Sequence, residues 1–570
     1  MSEYLPIEDS SSGSRKKRKQ LFVSSASVII FLLLSFLLYF TLESSPPQHS
    51  RCGCYKPLSP AFNVSLNEIL YDAGYKESVV KKLVGTIKIP TEIFDFTPEP
   101  SIDMTPWKNF TKLHDYLEEQ FPVLHSTVKV EKPNTIGLLY TWEGSDSSLK
   151  PLLLMAHQDV VPVDPQTLGS WTHPPYEGFY DKESDTVYGR GSNDVKPLIV
   201  SHLESVEKLI KDGFKPRRTV LISLGCDEEA SGLCAARLSQ HILKRYGPDS
   251  IYAILDEGGG VLEAGNDKYI AMPVTTEKGY LDAEITLFTP GGHSSVPPDH
   301  TSIGVIAQLL VELENNPYAA YVSNNNPSLD ALRCFFENTQ SGDKKLRELL
   351  RKNDLKKLGG ELDKNLNHRY LFRTSQAIDI IKGGIKSNAL PESVAVLVNN
   401  RIAIHSSVEE TLDHILLHLG NLAKKYDLGV KVIKPGGIGE ADTITIKPVT
   451  EAGEFVLRVI DPLEPAPISP SYGSGVWDII SGTTVNTYMQ PLFGDDNTEV
   501  FVTPALGTGN TDTKSYWNLT KNIYRYTGSL DVPGSNAHTV DEIGTGKSLI
   551  SSIAFMYQYI ANVDRYSADP

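Results

Sequence analysis

Acidic and imidazole side chains follow strand-like apolar runs in the middle of this chain. His157 and Asp159 end the first run, Glu228 and Glu229 follow the second, and Asp256 ends the third. Because the carboxyl ends of parallel strands meet at one edge of an open α/β sheet, these side chains are expected to lie close together. A set of His, Asp and Glu without matching cysteines indicates hydrolytic metal chemistry.

A two-metal hydrolytic site needs a bridging ligand, separate ligands for each ion and a base for the attacking water. Five residues are the candidate metal ligands: His157, Asp194, Glu229, Asp256 and His538. Asp159 lies two positions beyond His157 on the same side of the strand, where it can accept the imidazole proton and orient the ring. Glu228, adjacent to Glu229, is the candidate general base.

Each of these residues also has a purely structural interpretation. Asp194 precedes a helical pattern and could cap it. Asp256 precedes three glycines and could belong to a turn. The Glu228–Glu229 pair could be the solvated start of a helix. Only their joint occurrence favours a metal site.

The elements that must position these residues are predicted as α/β, with a mostly parallel sheet. A helix is predicted after Asp194, because Ile199, Leu203, Val206 and Ile210 repeat every three or four positions. The pattern changes near residue 280, where an alternating strand opens a predicted α+β lid. We therefore predict a catalytic domain in two parts, 58–280 and 436–570, interrupted by a lid at 281–435.

The amino-terminal segment predicts one transmembrane helix. Residues 21–42 carry no charge, follow a run of five basic residues at 15–19, and are long enough to span a bilayer. The positive-inside rule places a tail at 1–20 in the cytosol, and a stalk at 43–57 follows on the other side. A cleaved signal peptide is the alternative. Three sequons fall on the lumenal side, at Asn63, Asn109 and Asn518.

Composition limits the function classes. The chain has 570 residues and a formal charge of −16, which argues against nucleic-acid binding. Five cysteines are too few for a disulfide scaffold, and Cys52 and Cys54 are too close to form an ordinary bridge with each other. Cys226 and Cys234 are predicted to be core or helix residues.

Six segments carry a family resemblance, and their joint order and spacing are specific. They are MAHQDVVP (155–162), GRGSNDVK (189–196), DEEASG (227–232), LDEG (255–258), GGHSS (291–295) and AHT (537–539). With them, the chain from about residue 60 resembles the di-zinc metallopeptidase family of carboxypeptidase G, aminoacylase and carboxypeptidase S. Three further segments resemble the fungal vacuolar carboxypeptidase S branch: YTWEGS (140–145), HSSVPPDH (293–300) and GNTDTK (509–514).

The resemblance implies a role for each matching residue and two Zn²⁺ per subunit, although other divalent ions share these ligands. Asp194 would bridge the ions, with His157 and Asp256 completing one site and Glu229 and His538 the other. Glu228 would be the general base. In the lid, His293 would stabilise the oxyanion, while Asn388 and Arg401 would hold the substrate. Pro197 replaces a glycine that is frequent in the family, which puts the local loop shape in question.

The predicted function is that of a metallo-carboxypeptidase that releases the carboxy-terminal amino acid from a short peptide or N-blocked dipeptide. One alternative is an N-acyl amino acid hydrolase or synthase of the same family. Another is an inactive membrane receptor on a peptidase fold. The branch implies a vacuolar membrane or lumenal location, with a single-pass anchor and a cytosolic amino terminus. A homodimer is compatible with the family, although the long segment 315–373 is expected to alter such a contact.

Overall fold

The computed structural model describes residues 51–265, 267–339, 342–436 and 441–566. The predicted cytosolic tail, membrane span and most of the stalk (1–20, 21–42 and 43–50) lie outside these residues. Among the helices that are described, none is both long enough and apolar enough to cross a bilayer.

The strands are defined first. They are β1 (Lys129–Glu131), β2 (Leu138–Trp142), β3 (Leu152–His157), β4 (Phe179–Asp181), β5 (Thr186–Tyr188), β6 (Val220–Gly225), β7 (Ala253–Glu263), β8 (Lys268–Ala271), β9 (Val274–Glu277), β10 (Gly279–Phe288), β11 (Gly292–His293), β12 (Ser375–Gly383), β13 (Ala389–Leu390), β14 (Ser393–Ile402), β15 (Gly429–Pro435), β16 (Ala441–Lys447), β17 (Glu454–Leu463), β18 (Glu499–Val502), β19 (Ala505–Gly507), β20 (Ile523–Leu530) and β21 (Ile543–Thr545).

The helices alternate with these strands. They are α1 (Leu66–Tyr71), α2 (Ala73–Ile87), α3 (Lys108–Gln120), α4 (Pro122–Thr127), α5 (Lys196–Lys211), α6 (Leu233–Tyr246), α7 (Ser302–Asn315), α8 (Pro327–Asn338), α9 (Lys344–Lys352), α10 (Leu355–Leu362), α11 (Leu366–Arg369), α12 (Val408–Lys425), α13 (Gly475–Tyr488) and α14 (Gly546–Tyr566). Two short 3₁₀ helices span Pro165–Ser170 and Asp512–Ser515.

The catalytic part is built on a mixed sheet in the order β1-β2-β6-β3-β7-β20-β9-β19, with β8 and β18 attached beside β7. Strands β3, β6, β7 and β20 run parallel, and β3 and β6 are buried throughout. Burial on both faces explains their continuous apolar runs. Within β3, Leu152 and Leu154 pack with α5 and α14, whereas Leu153 and Met155 pack with α6. This alternation is the strand period of two.

The lid is a second sheet in the order β12-β14-β10-β17-β15-β16. Strand β10 buries every second residue, and helices α7 and α12 cover that buried face. The alternating strand predicted near residue 280 is present as β10, and the helices and further strands after it form the expected α+β unit. The lid sheet continues through β16 and β17 to Leu463, past the boundary predicted at residue 435, because β17 pairs antiparallel with β10.

Residues 316–373 of the lid form a small helical subdomain. Residues 340–341 of this segment lie outside the described residues. Helices α8 to α10 share a core that includes Leu329, Phe336, Leu350 and Leu358. Helix α8 also packs against β8 and β19 of the catalytic sheet. The segment therefore connects the lid to the outer side of the catalytic part.

Four of the five cysteines form disulfides, which corrects the sequence prediction. Cys52 pairs with Cys334 of α8 across 282 residues, and Cys226 pairs with Cys234 at the start of α6. Cys54 is free and exposed. Cys226 and Cys234 are indeed buried, but as a bridge that closes the loop holding Glu228 and Glu229. Spacing along the chain does not reveal a pairing that the fold brings together.

The three sequons differ in accessibility. Asn63 and Asn518 are exposed. Asn109 is half-buried on α3, and its side-chain amide donates to the carbonyl of Pro90 at 2.7 Å. Glycosylation at all three stays a prediction, with the amide of Asn109 already engaged.

Candidate metal centre

The centre lies at the carboxyl edge of the catalytic sheet. His157 is the last residue of β3, and the loop after β6 carries Glu228 and Glu229. Asp194 sits in the turn between β5 and α5, followed by a cis peptide bond to Val195. His538 comes from the loop that leads into β21.

Asp194 lies between the two histidines. Its Oδ1 is 3.1 Å from Nε2 of His157, and its Oδ2 is 3.0 Å from Nε2 of His538. The same His538 nitrogen is 3.0 Å from Oε1 of Glu229. One carboxylate thus presents one oxygen to each imidazole, as a bridging ligand must.

The donor atoms fit divalent ions. Nitrogen and oxygen ligands about 2.0–2.1 Å from one tetrahedral zinc are separated from each other by roughly 3.3 Å. The pairwise distances at this centre run from 3.0 to 3.4 Å. Donor atoms also lie within 4.8 Å of one another in two overlapping groups, His157–Asp194–Glu229 and His157–Glu228–Glu257. Two neighbouring cations are therefore compatible with the arrangement.

Glu257, not Asp256, faces the centre. Oε2 of Glu257 is 3.4 Å from Nε2 of His157. Asp256 is the preceding residue of β7, and neighbouring strand residues point to opposite sides. It is buried, and one of its oxygens has no hydrogen-bond partner. Burial, with the nearby Glu257 charge, raises the pKa of Asp256 to about 8. The structure does not bring the predicted ligand Asp256 into either donor group.

Asp159 joins the two strand ends of the centre. Its carbonyl oxygen is 3.1 Å and its carboxylate 3.4 Å from Nδ1 of His157. Its other carboxylate oxygen accepts the backbone N–H of Glu229 at 2.9 Å. One buried side chain therefore orients a candidate ligand on β3 and the loop after β6.

Glu228 is a half-buried carboxyl beside His157 and Glu257. Burial, followed by the Glu257 charge, raises its pKa well above the usual range. Asp512, buried behind the centre, acts in the same direction. Asp512 lies in the segment GNTDTK (509–514), and its sequence context alone assigns it no role. A carboxyl with a raised pKa is suited to exchange protons with water.

The charges of the centre support one another. Hydrogen bonds to Asp194 and Glu229 raise the pKa of His538 to about 10. Burial opposes the charge of Asp194, but hydrogen bonds from His157 and His538 bring its pKa below the usual range. The two imidazoles thus favour the anionic form of Asp194, whereas burial raises the pKa of Glu228 and Glu257.

The predicted lid residues His293 and Asn388 lie together. Strands β11 and β13 pair His293 with Ala389, and the carbonyl of Asn388 accepts the backbone N–H of Ser294 at 3.2 Å. Nδ1 of His293 accepts the backbone N–H of Ser295 at 3.1 Å, so the neutral ring carries its proton on Nε2. Both residues are exposed, and neither hydrogen-bonds to the metal centre within the described part of the chain.

Arg401 lies at the base of the lid, on β14 opposite Tyr280. Its guanidinium stacks 4.7 Å from the Tyr280 ring centre and donates to Oδ1 of Asn510 at 2.9 Å. Asn510 in turn donates to the carbonyl of Lys278 at 2.6 Å. A half-buried cation is thereby held where the lid leaves the catalytic part.

Comparison with known proteins agrees with this geometry. Residues 153–561 match the model of peptidase family M20/M25/M40. The chain is 46% identical over 532 residues to carboxypeptidase S of Saccharomyces cerevisiae, covering 91% of this chain and 90% of that protein. It is 30% identical over 507 residues to the N-fatty-acyl-amino acid synthase/hydrolase PM20D1 of Xenopus tropicalis, covering 87% and 88%.

Among solved structures, the di-peptidase Dug1p of Saccharomyces cerevisiae shares the fold, with a TM-score of 0.59 at 15% identity, covering 89% of this chain and 100% of that one. The family match spans most of the described chain and includes every segment that forms the centre. The chain belongs to peptidase family M20/M25/M40.

Proposed function

We propose that the chain is a metal-dependent carboxypeptidase that hydrolyses the last peptide bond of short peptides or N-blocked dipeptides. One observation carries the proposal: a single carboxylate, Asp194, presents its two oxygens to His157 and His538, beside the half-buried carboxyl of Glu228. The similarity to carboxypeptidase S supports the direction of cleavage.

A pair of divalent ions supplies Lewis acidity and makes water nucleophilic at neutral pH. Glu228 accepts the proton of the attacking water and returns it to the leaving amine. Nε2–H of His293 donates to the oxygen that gains charge in the transition state. Arg401, at the base of the lid, pairs with the terminal carboxylate of the substrate, and Asn388, beside His293, makes a separate contact to the substrate. The lid therefore recognises the substrate and supplies His293, while the sheet edge supplies the proposed metal ligands and the base.

The resident cofactor is proposed to be two Zn²⁺ per subunit. Asp194 would be shared by the two ions, His157 and Glu257 would hold one of them, and Glu229 and His538 would hold the other. Glu257 takes the role predicted for Asp256, since of these two acids it is Glu257 whose carboxylate lies 3.4 Å from His157. Asp159 orients His157 and does not itself bind an ion.

Two measurements on the full-length enzyme test the function. Metal analysis should find two zinc ions per chain, and activity should disappear with a chelator and return with zinc. Benzyloxycarbonyl-dipeptides should be hydrolysed faster than fatty-acyl amino acids. Preference for the fatty-acyl substrates would instead support N-fatty-acyl-amino acid hydrolysis, the activity in the name of the PM20D1 relative. Stoichiometric metal without turnover of either class would support a receptor.

The membrane anchor at 21–42, the vacuolar location and glycosylation at Asn63, Asn109 and Asn518 are proposed from sequence and resemblance. Carbonate extraction of vacuolar membranes, with a variant lacking residues 1–42, tests the anchor.

A homodimer is also proposed. A mixture of His293→Ala and Glu228→Gln chains tests whether the lid of one subunit completes the active site of the other. Recovered activity would show that His293 acts across subunits.

A further inference from the structure

Glu542 is a fully buried carboxylate beneath the loop that presents Asp194. Its Oε2 accepts Nη1 of Arg190 at 2.7 Å and the backbone N–H of Gly191 at 3.1 Å. Its Oε1 accepts the backbone N–H groups of Asn193 at 2.9 Å and of Asp194 at 3.0 Å. All four donors belong to one turn, and the last belongs to the bridging residue itself.

The backbone of Glu542 also contacts the start of the turn that holds Asp194. Its carbonyl accepts the N–H of Gly189 at 3.0 Å, and the next residue, Ile543, pairs with Tyr188 where β21 meets β5. His538 lies only four residues before Glu542. One residue therefore connects the loop of His538 to the loop of Asp194.

The chemistry of this contact calls for a carboxylate. The turn contains three N–H groups that point to one place and have no strand or helix partner there, and buried N–H groups must be paired. A carboxylate accepts at both oxygens, whereas an amide accepts at only one. Glutamine would turn its NH₂ toward a backbone N–H and the Arg190 guanidinium.

We propose that Glu542 is a positioning residue that holds the Asp194 carboxylate in register between the two halves of the metal centre. The proposal rests on the proposed role of Asp194 and His538 as metal ligands. Without Glu542, the turn would shift, and Asp194 would no longer present one oxygen to each histidine. Loss of Glu542 should therefore weaken metal binding more than it weakens the fold.

Glu207 offers a matched control. It is also a buried carboxylate, and it accepts a backbone N–H, that of Leu124, at 3.1 Å, as well as Nζ of Lys211 at 2.6 Å. It lies on α5, and neither of these partners belongs to the metal centre. Glu207→Gln thus reproduces the loss of a buried carboxylate without touching the Asp194 turn.

The test compares wild type, Glu542→Gln, Glu542→Asp and Glu207→Gln as full-length proteins. Zn²⁺ affinity is measured by calorimetry after chelator treatment, Co²⁺ coordination by visible absorption, and the fold by thermal unfolding. Outer-shell partners of metal ligands typically contribute about 10–100-fold in affinity. Glu542→Gln should lose at least about 10-fold for one ion and change the Co²⁺ spectrum, while Glu207→Gln keeps both at wild-type values.

The outcomes separate the two proposals. A wild-type chain that binds no ion contradicts the proposed function and, with it, the role of Glu542. A wild type with two ions, and a Glu542→Gln chain with the same affinities and spectrum, overturns only the role of Glu542. If Glu542→Gln does not fold, Glu542→Asp, which keeps the charge on a shorter stem, must show the affinity loss instead. Unchanged affinity in that variant also overturns the proposal.

Discussion

Glu228 and Glu229 are neighbours in sequence, but their carboxylates meet different partners. Oε1 of Glu229 is 3.0 Å from His538, and its backbone N–H is held by Asp159. The Glu228 carboxyl lies in the other donor group, beside His157 and Glu257. The two side chains can therefore divide ligand and base roles, and substitutions should separate those roles.

Glu228→Gln should keep metal content and lose turnover. The amide has the size of the carboxyl but cannot accept the proton of water, and general-base contributions are commonly about 10²–10⁴-fold. The measurement is kcat on a benzyloxycarbonyl-dipeptide, with zinc content determined on the same sample. Near-normal kcat with full zinc would mean that another group is the base.

A second prediction compares Asp256 and Glu257, the two adjacent acidic residues of β7. Glu257→Gln should weaken the binding of one ion by more than about 100-fold, since even outer partners of ligands contribute about 10–100-fold. Asp256→Asn should change affinity by less than about 10-fold, because Asp256 faces away from His157. Equilibrium dialysis with zinc compares the pair. The reverse order of effects would restore Asp256 as the ligand.

At this scale, residue types were predictable and side-chain direction was not. The motif around residue 256 shows that an acid stands at the end of a strand, but choosing between Asp256 and Glu257 requires knowing which face of β7 meets His157. Glu542 gave no signal, because its partners, the Arg190 guanidinium and three backbone N–H groups, lie about 350 residues earlier in the chain. Such contacts are set by the fold, not by local spacing.

At the scale of elements, the Cys52–Cys334 disulfide joins the amino-terminal segment to helix α8 of the lid. Around it, Ile270 of β8 and Phe501 of β18 form a small core. The covalent link therefore fixes the helical part of the lid against the catalytic sheet. Loss of the disulfide should loosen this junction more than it disturbs the metal centre.

Removing this link by Cys52→Ser with Cys334→Ser should lower the free energy of unfolding by about 2–5 kcal/mol, the usual cost of losing a native disulfide. The reason is that the unfolded chain is no longer restricted by the long closed loop. Thermal unfolding without reductant measures it. Cys54→Ser, which removes an exposed free thiol, is the control and should match wild type; equal midpoints for all three proteins would show that the bridge adds no stability.

Most elements were predictable because their periodicity is local. The run in β3, the alternation in β10 and the helix after Asp194 all match their predicted type. The end of the lid was not predictable, because β17 joins β10 only through pairing between residues about 170 positions apart. Strand pairing at that distance leaves no mark in either segment alone.

At the scale of the whole molecule, two buried histidines make the fold sensitive to acid. His114 is buried, and its Nε2 is 2.8 Å from Oε1 of Gln158. Nε2 of His202 is 2.9 Å from the carbonyl of Met155. Burial lowers the pKa of each ring to about 4. Both rings therefore remain neutral in the folded state at pH values where the unfolded chain is protonated.

The direction in which stability changes with pH follows from the number of protons bound by the folded and unfolded states. Between the unfolded pKa of about 6.5 and the folded value, the unfolded chain binds more protons, so stability falls as pH decreases. At pH 5, each histidine should cost about 2 kcal/mol relative to neutral pH, from roughly 1.4 kcal/mol per pH unit. This loss is shared by the fold as a whole, since both residues pack beside the catalytic sheet.

The double variant His114→Gln with His202→Gln should show a shallower decline of the unfolding midpoint between pH 7 and pH 4.5 than wild type. Glutamine can still donate a hydrogen bond but has no proton to gain. Any pH dependence of metal binding is common to both proteins and cancels in their difference. The control is His241→Gln, which replaces a half-exposed histidine on α6. Its unfolding midpoints should follow those of wild type. Parallel curves for wild type and the double variant would show that the acid sensitivity comes from other groups.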